Sequence, residues 1–200
     1  MATYASIKYD MALSSNATGT GALTLLSTQT ASSSATISFT SNIDSTYKEY
    51  VFKFYDIHPA TDGQTFGFQG DTGTNTSYNQ TITSTFFYSY HDEADSDTTL
   101  EYNGSYDLAQ STSFHNLSNL LGNGSDESLA GTLTIYDPSN STFVKHFISR
   151  CAMYQSGNYT FDIFTAGYFN TTTALTRVQF KMNSGNIDSG TIKLYGIKDS

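Results

Sequence analysis

The chain has 200 residues, 18 acidic against nine basic, a net charge of −9 and no Trp. So few, scattered basic residues argue against a nucleic-acid partner, because phosphate binding needs clustered Lys and Arg, and no apolar run is long enough for a membrane helix. The single cysteine, Cys151, excludes an internal disulfide, while 14% aromatic residues in a chain of this length exclude general disorder and allow a sizeable core.

Residues 1–21 read as an N-terminal arm and linker, and residues 22–200 as one β-sandwich domain. Tyr4 to Tyr9 alternates weakly, so Tyr4, Ile7 and Tyr9 become contact residues if the arm docks on a neighbour. A frayed terminus is the other reading. Ser14–Gly21 has the composition of a flexible linker. Met1–Asp10 lacks the apolar stretch of a secretion signal, so none is expected. Residues 22–31 and 34–41 then read as two strands, with Ala35, Ile37 and Phe39 facing one way. Tyr47–Ile57 is the strongest strand. Tyr50, Phe52 and Phe54 share one face, with Val51, Lys53, Tyr55 and Ile57 on the other. Both faces are largely apolar, which predicts a central position, and His58-Pro59 ends the strand because Pro cannot donate to a ladder. Short and long strands follow at 65–69 and 81–90.

From Asp92 to Gly124 the pattern dissolves into acidic and polar residues. A short helical turn is expected at Ser105–Gln110. A loop of this length usually has a purpose, which makes it the first choice for a partner-facing surface. Tyr88, Tyr90, Tyr102 and Tyr106 fall in or beside it. Tyr gives large contact area at low entropic cost and suits recognition, although it also simply stabilises strands. Strands resume at 129–136, 143–154, 158–169, 175–183 and 190–197, with turns at Asp137–Asn140 and Gln155–Asn158. In the last of them Ile192, Leu194 and Ile197 are expected on the buried side. The total is about ten strands and no useful helical periodicity, an all-β antiparallel sandwich.

Residues with catalytic potential lack the required spacing. Cys151 lies in the apolar run Phe147–Tyr154 and reads as a buried thiol, with His146 on the opposite strand face. His58, His91, His115 and His146 show no metal-ligand spacing. Glu93, Asp95 and Asp97 alternate, so an extended backbone would aim all three carboxylates one way, toward a calcium ion; a solvated acidic loop is the plainer reading. No nucleophile elbow or phosphate loop is present, and Asp71-Thr-Gly73 is too short a match to imply a protease. The expectation is a non-enzymatic protein without cofactors.

Three segments carry a resemblance: Ala31–Phe54, Asp137–Phe147 and Gly190–Lys198. Together they resemble a family of small virion structural proteins of marine tailed bacteriophages, over residues 22–198. The resemblance implies a jelly-roll-like sandwich made in the host cytoplasm and displayed on the virion as a symmetric oligomer, expected to be a homotrimer. It implies a capsid decoration or cement protein whose partner is the major capsid protein or another virion protein. A tail-fibre or receptor-binding protein that recognises host surface glycan is the alternative, and a glycan depolymerase a third. The family offers no functional residues to carry over.

Overall fold

The computed structural model describes residues 23–197; residues 1–22 and 198–200, and with them Tyr4, Ile7 and Tyr9, lie outside the described part. Twelve strands form two antiparallel sheets and there is no helix among the described residues. In chain order they are β1 (Leu23–Thr30), β2 (Ile37–Phe39), β3 (Glu49–Pro59), β4 (Phe66–Thr72), β5 (Ile82–Asp92), β6 (Thr98–Tyr102), β7 (His115–Asn116), β8 (Leu129–Tyr136), β9 (Lys145–Gln155), β10 (Tyr159–Phe169), β11 (Leu175–Met182) and β12 (Ile187–Ile197). The large sheet runs β1-β12-β3-β8-β9-β10-β5-β6, and the small one β2-β11-β4-β7. This is the expected all-β sandwich.

Alternating side chains make the layers. Along β9, Phe147, Ser149, Cys151 and Met153 point inward, while His146, Ile148, Arg150 and Ala152 point out. Tyr50, Phe52 and Phe54 of β3 face Phe66 and Phe68 of β4 and Phe180 of β11 across the space between the sheets. β3 lies between β12 and β8, the central place its two apolar faces predict. The turns at Asp137–Asn140 and Gln155–Asn158 close as expected, each by a bond from the fourth residue's N–H to the first carbonyl, both 3.0 Å.

Two expected side-chain directions are corrected. Ile57 is fully buried in the core, not on the face with Lys53, because the pairing of β3 with β8 slips between Phe54 and Ile57. Asp56 takes a positive φ of 51° at that bulge, which moves the following residue to the other face. On β12 it is Gly196, not Ile197, that faces inward; its missing side chain leaves room for the Tyr47 ring, which an added Cβ would meet at 2.4 Å.

The segment from 92 to 124 is also corrected. It contains β6 and β7, and Ser105–Gln110 forms turns and bends instead of a helical turn. It is stitched to the sandwich. Leu117 and Leu121 are fully buried. Phe66 N–H donates to Ser118 Oγ at 2.7 Å, and Leu117 N–H to the Phe66 carbonyl at 2.8 Å. The Gln69 side-chain amide donates to the carbonyls of Gln80, Thr112 and Ser113 at 3.0, 3.2 and 3.0 Å. These bonds satisfy backbone groups that an irregular segment would otherwise leave unpaired beside the core.

The β3 bulge depends on Gly190 opposite it. Gly190 has φ of 120°, and an added Cβ would lie 2.7 Å from the Asp56 carbonyl oxygen and 2.8 Å from Ile57 Cα. Gly190→Ala is therefore expected to cost about 1–3 kcal/mol or more, read as a lower urea midpoint at unchanged slope. A wild-type midpoint would show that the two bulges do not lock each other.

Candidate functional site

The acidic turn that follows β5 is built as a turn and not as a ligand cage. Asp92 Oδ1 accepts the N–H groups of Ser96 and Asp97 at 2.8 and 2.9 Å, and Oδ2 accepts the Ser96 hydroxyl. These bonds, the Ser96 hydroxyl first, hold its pKa down to about 2. The three residues expected to converge go separate ways. Glu93 accepts the Tyr154 hydroxyl at 2.8 Å, Asp95 faces His91 Nε2 at 3.2 Å, and Asp97 accepts the Tyr90 hydroxyl at 3.3 Å. The bond to Glu93 pushes the Tyr154 phenol up to about 12. Asp95 has a positive φ of 55°, so the backbone is not extended and the alternation that would align the carboxylates is lost. Among the described residues no group of three or more His, Cys, Asp or Glu is placed to hold a metal ion.

Three of the four tyrosines join one aromatic cluster, with the Tyr88 and Tyr90 rings 6.0 Å apart and Tyr106 linked through Phe86, and the fourth stands apart. Tyr88 is a core residue packed edge-on against Phe86 and Phe161, and only its hydroxyl reaches out, donating to Glu101. Tyr106 stacks on Phe86 at 5.1 Å, half-buried. Tyr90, also half-buried, lies against Tyr159 and Phe161. Tyr102 alone is exposed, on edge strand β6, where its hydroxyl donates to Asp107. They do not form one recognition surface.

Groups with catalytic chemistry lie inside. Cys151 is buried, and desolvation pushes its thiol up to about 12. Ser84 Oγ and His115 Nδ1 are 3.3 Å apart, a pair that the sequence reading did not single out because β5 and β7 are brought together only by the fold. His115 is fully buried between Phe68 and Phe147. Ser84 Oγ already accepts the Leu108 N–H at 2.9 Å, so the pair fixes the 103–110 connection to β5. Lys145 is likewise buried, its ammonium donating to the carbonyls of Phe143 and Thr171 at 2.9 and 3.2 Å, and burial lowers its pKa.

What remains open is the outward face of the large sheet and its β1 edge. One register row crosses the face from strand to strand: Lys193, Lys53, Thr132, Arg150, Phe164 and Phe87, in that order. Arg150 donates to Asp162 through Nε and Nη2 at 3.0 and 2.8 Å and lies 4.7 Å above the Phe164 ring, which stacks on Phe87 at 5.1 Å. Shallow grooves of about 420 and 430 Å³ flank the row. Ala152 and Ala130 form part of one, and Ala166, Ile148 and Tyr168 part of the other. At the sheet edge, Leu23 and Leu25 of β1 are exposed, 41% and 53%.

No family model, curated protein or solved structure matches this chain. The surfaces just described, and the segments of resemblance, are what bear on its role.

The buried histidine gives a measurable signature. Burial holds the pKa of His115 down to about 3, whereas the unfolded side chain titrates near pH 6.5. The folded state therefore binds fewer protons between these limits. Its contribution to stability is fully present above pH 6.5 and is lost as pH falls toward 3. Urea unfolding is expected to show a loss of about 2 kcal/mol between about pH 7.5 and 5. In His115→Leu most of that pH dependence should vanish, whatever the variant's absolute stability; an unchanged slope would show that another group carries it.

Proposed function

We propose that the chain is a structural protein of a bacteriophage particle, a decoration protein bound on the outside of the head that acts through interface area without turnover. The resemblance of the segments 31–54, 137–147 and 190–198 supports the particle assignment. The jelly-roll-like winding and the trimeric assembly implied by that resemblance belong to the same proposal.

The observation that carries the reading is the β1 edge. An open edge strand offers a row of unpaired N–H and C=O groups, and proteins usually blunt it with charge or Pro. Leu23–Thr30 has neither. Among the described residues no strand pairs with its outer side. Leu23 and Leu25 project on the outward face, while Leu26, at the bulge between Leu25 and Ser27, packs against the core. The opposite edge is different: β6 carries Glu101, and Asp97 precedes it. Both edges expose apolar side chains, Leu100 and Tyr102 on β6 included, but only the β1 edge is without charge, and among the described residues it is open to extend into a partner's sheet or to lie on a partner's surface.

Burying one Leu side chain is worth about 1.5–3 kcal/mol, and about 1.4 kcal/mol is a factor of ten in affinity. Leu25→Lys is therefore expected to lower cosedimentation with phage heads by about tenfold or more, with the thermal unfolding midpoint nearly unchanged because the side chain is exposed. Unchanged cosedimentation, or particle imaging that places the chain only at the tail tip, would sink this reading.

A further inference from the structure

The outward face of the large sheet carries a like-charge pair on β12 and β3, the two strands that follow β1 in the sheet order. Lys53 of β3 and Lys193 of β12 stand directly opposite each other. Like charges in that relation destabilise a sheet. Their sheet neighbours are all uncharged: Thr132 on the far side of Lys53, Thr28 on the far side of Lys193, and Val51, Tyr55, Thr191 and Tyr195 two residues along the strands. Among the described residues neither ammonium has a carboxylate within 4.0 Å. Each lies instead over the diagonal tyrosine ring, Lys53 Nζ 5.4 Å from the centre of Tyr195 and Lys193 Nζ 5.3 Å from that of Tyr55. In a chain with twice as many acids as bases, leaving two adjacent cations without an acid is a specific placement.

The same row leads from this cationic end to an aromatic one. Arg150 is occupied by Asp162 and braces Phe164, which stacks on Phe87; Tyr102 follows Phe87 on β6. Phe87 and Tyr102 are exposed. Neighbouring strands are about 4.8 Å apart, close to the length of one sugar ring in a polysaccharide, so a sugar chain lying across the strands would meet one side chain of the row per ring.

We infer that this row is a binding track for an acidic polysaccharide with carboxylates on its sugars. Each lysine, its ammonium held over a tyrosine ring, takes a carboxylate of the polymer, and the rings of Phe87 and Tyr102 take sugar faces. Charge complementarity selects an anion. The low density of free cations selects a sparsely charged polymer over nucleic acid, whose closely spaced phosphates need many more Lys and Arg than two. The exposed rings select a ligand with apolar faces over an acidic peptide. This site goes beyond the proposed structural role and does not rest on it.

The test is isothermal titration of the full chain with gellan oligosaccharides, in which only one sugar of each repeat carries a carboxylate, at low ionic strength. Binding is expected, and it should weaken with added salt. The double variant Lys53→Gln/Lys193→Gln is expected to lose about tenfold or more in affinity, while its unfolding temperature stays close to the wild type's because the repulsion and the two lysine–tyrosine contacts are lost together. Phe87→Ala should weaken binding as well. Neutral dextran, polyglutamate and single-stranded DNA should not bind measurably. No binding of the gellan oligosaccharides, or binding that the double variant retains in full, overturns the proposal. Equal binding of polyglutamate or DNA overturns it too, in favour of a general anion surface. Cosedimentation of the double variant with phage heads should match the wild type, so this site and the β1 edge can fail independently.

Discussion

Phe180 holds the two sheets at their working distance. It belongs to the small sheet, yet its ring lies 5.2 and 5.4 Å from Phe52 and Phe54 of the large one, and stacks on Phe66 at 5.7 Å. Phe39 adds an edge contact at 6.1 Å. Offset and edge-to-face contacts of this kind add to the burial of large apolar area. Everything else in the sandwich is arranged so that the inner faces of β3, β4 and β11 can present these rings to each other. The paired irregularities at Asp56 and Gly190 serve that end, since they turn Ile57 inward where regular pairing would have turned it out.

Beside this apolar centre the small sheet needs polar pins. It has only four strands, and β7 contributes only His115 and Asn116. The connections that pass along β4 cannot complete a ladder, so buried side chains take over the role. Gln69 holds three carbonyls, and Asp71 accepts the N–H groups of Thr72 and Tyr78 and the Gln80 amide. Such groups are tolerable in a core only when they are bonded. They fix the connection from Thr72 to Gln80 and the stretch at Thr112–Ser113 beside the core.

Strands with a buried face could be read from the sequence because burial imposes alternation on them. β3, β9, β10 and β12 are the clearest cases. β6 could not: Thr98–Tyr102 is exposed on both faces at the sheet edge, so nothing selects an apolar period. β7 is two residues long, too short for any pattern. The direction of Ile57 was hidden for another reason: it depends on a bulge that Asp56 and the distant Gly190 make together. The surface was less legible than the core. Alternation places Lys53 and Lys193 on the outward face, but only the pairing of β3 with β12 makes them opposite neighbours. The Tyr-rich stretch could be read either way from the sequence, as a recognition surface or as packing, and Tyr88 and Tyr106 pack on Phe86.

The distribution of charge follows from two different causes. Several acids stand where turns need them: Asp44 accepts the Thr46 N–H, Asp92 those of Ser96 and Asp97, and Glu127 that of Gly124. Short acidic side chains do this well because their oxygens reach backbone donors a few residues on. Their excess thus collects at strand ends as a by-product of building a sheet protein with many connections. No such rule puts lysine in the middle of β3 and β12. Thr, which occupies Thr132 and Thr28 on either side of the pair, suits that exposed sheet position as well or better. Turn chemistry accounts for these acids, whereas the paired lysines are held over Tyr195 and Tyr55, and an anion lying on that face offsets the repulsion between them.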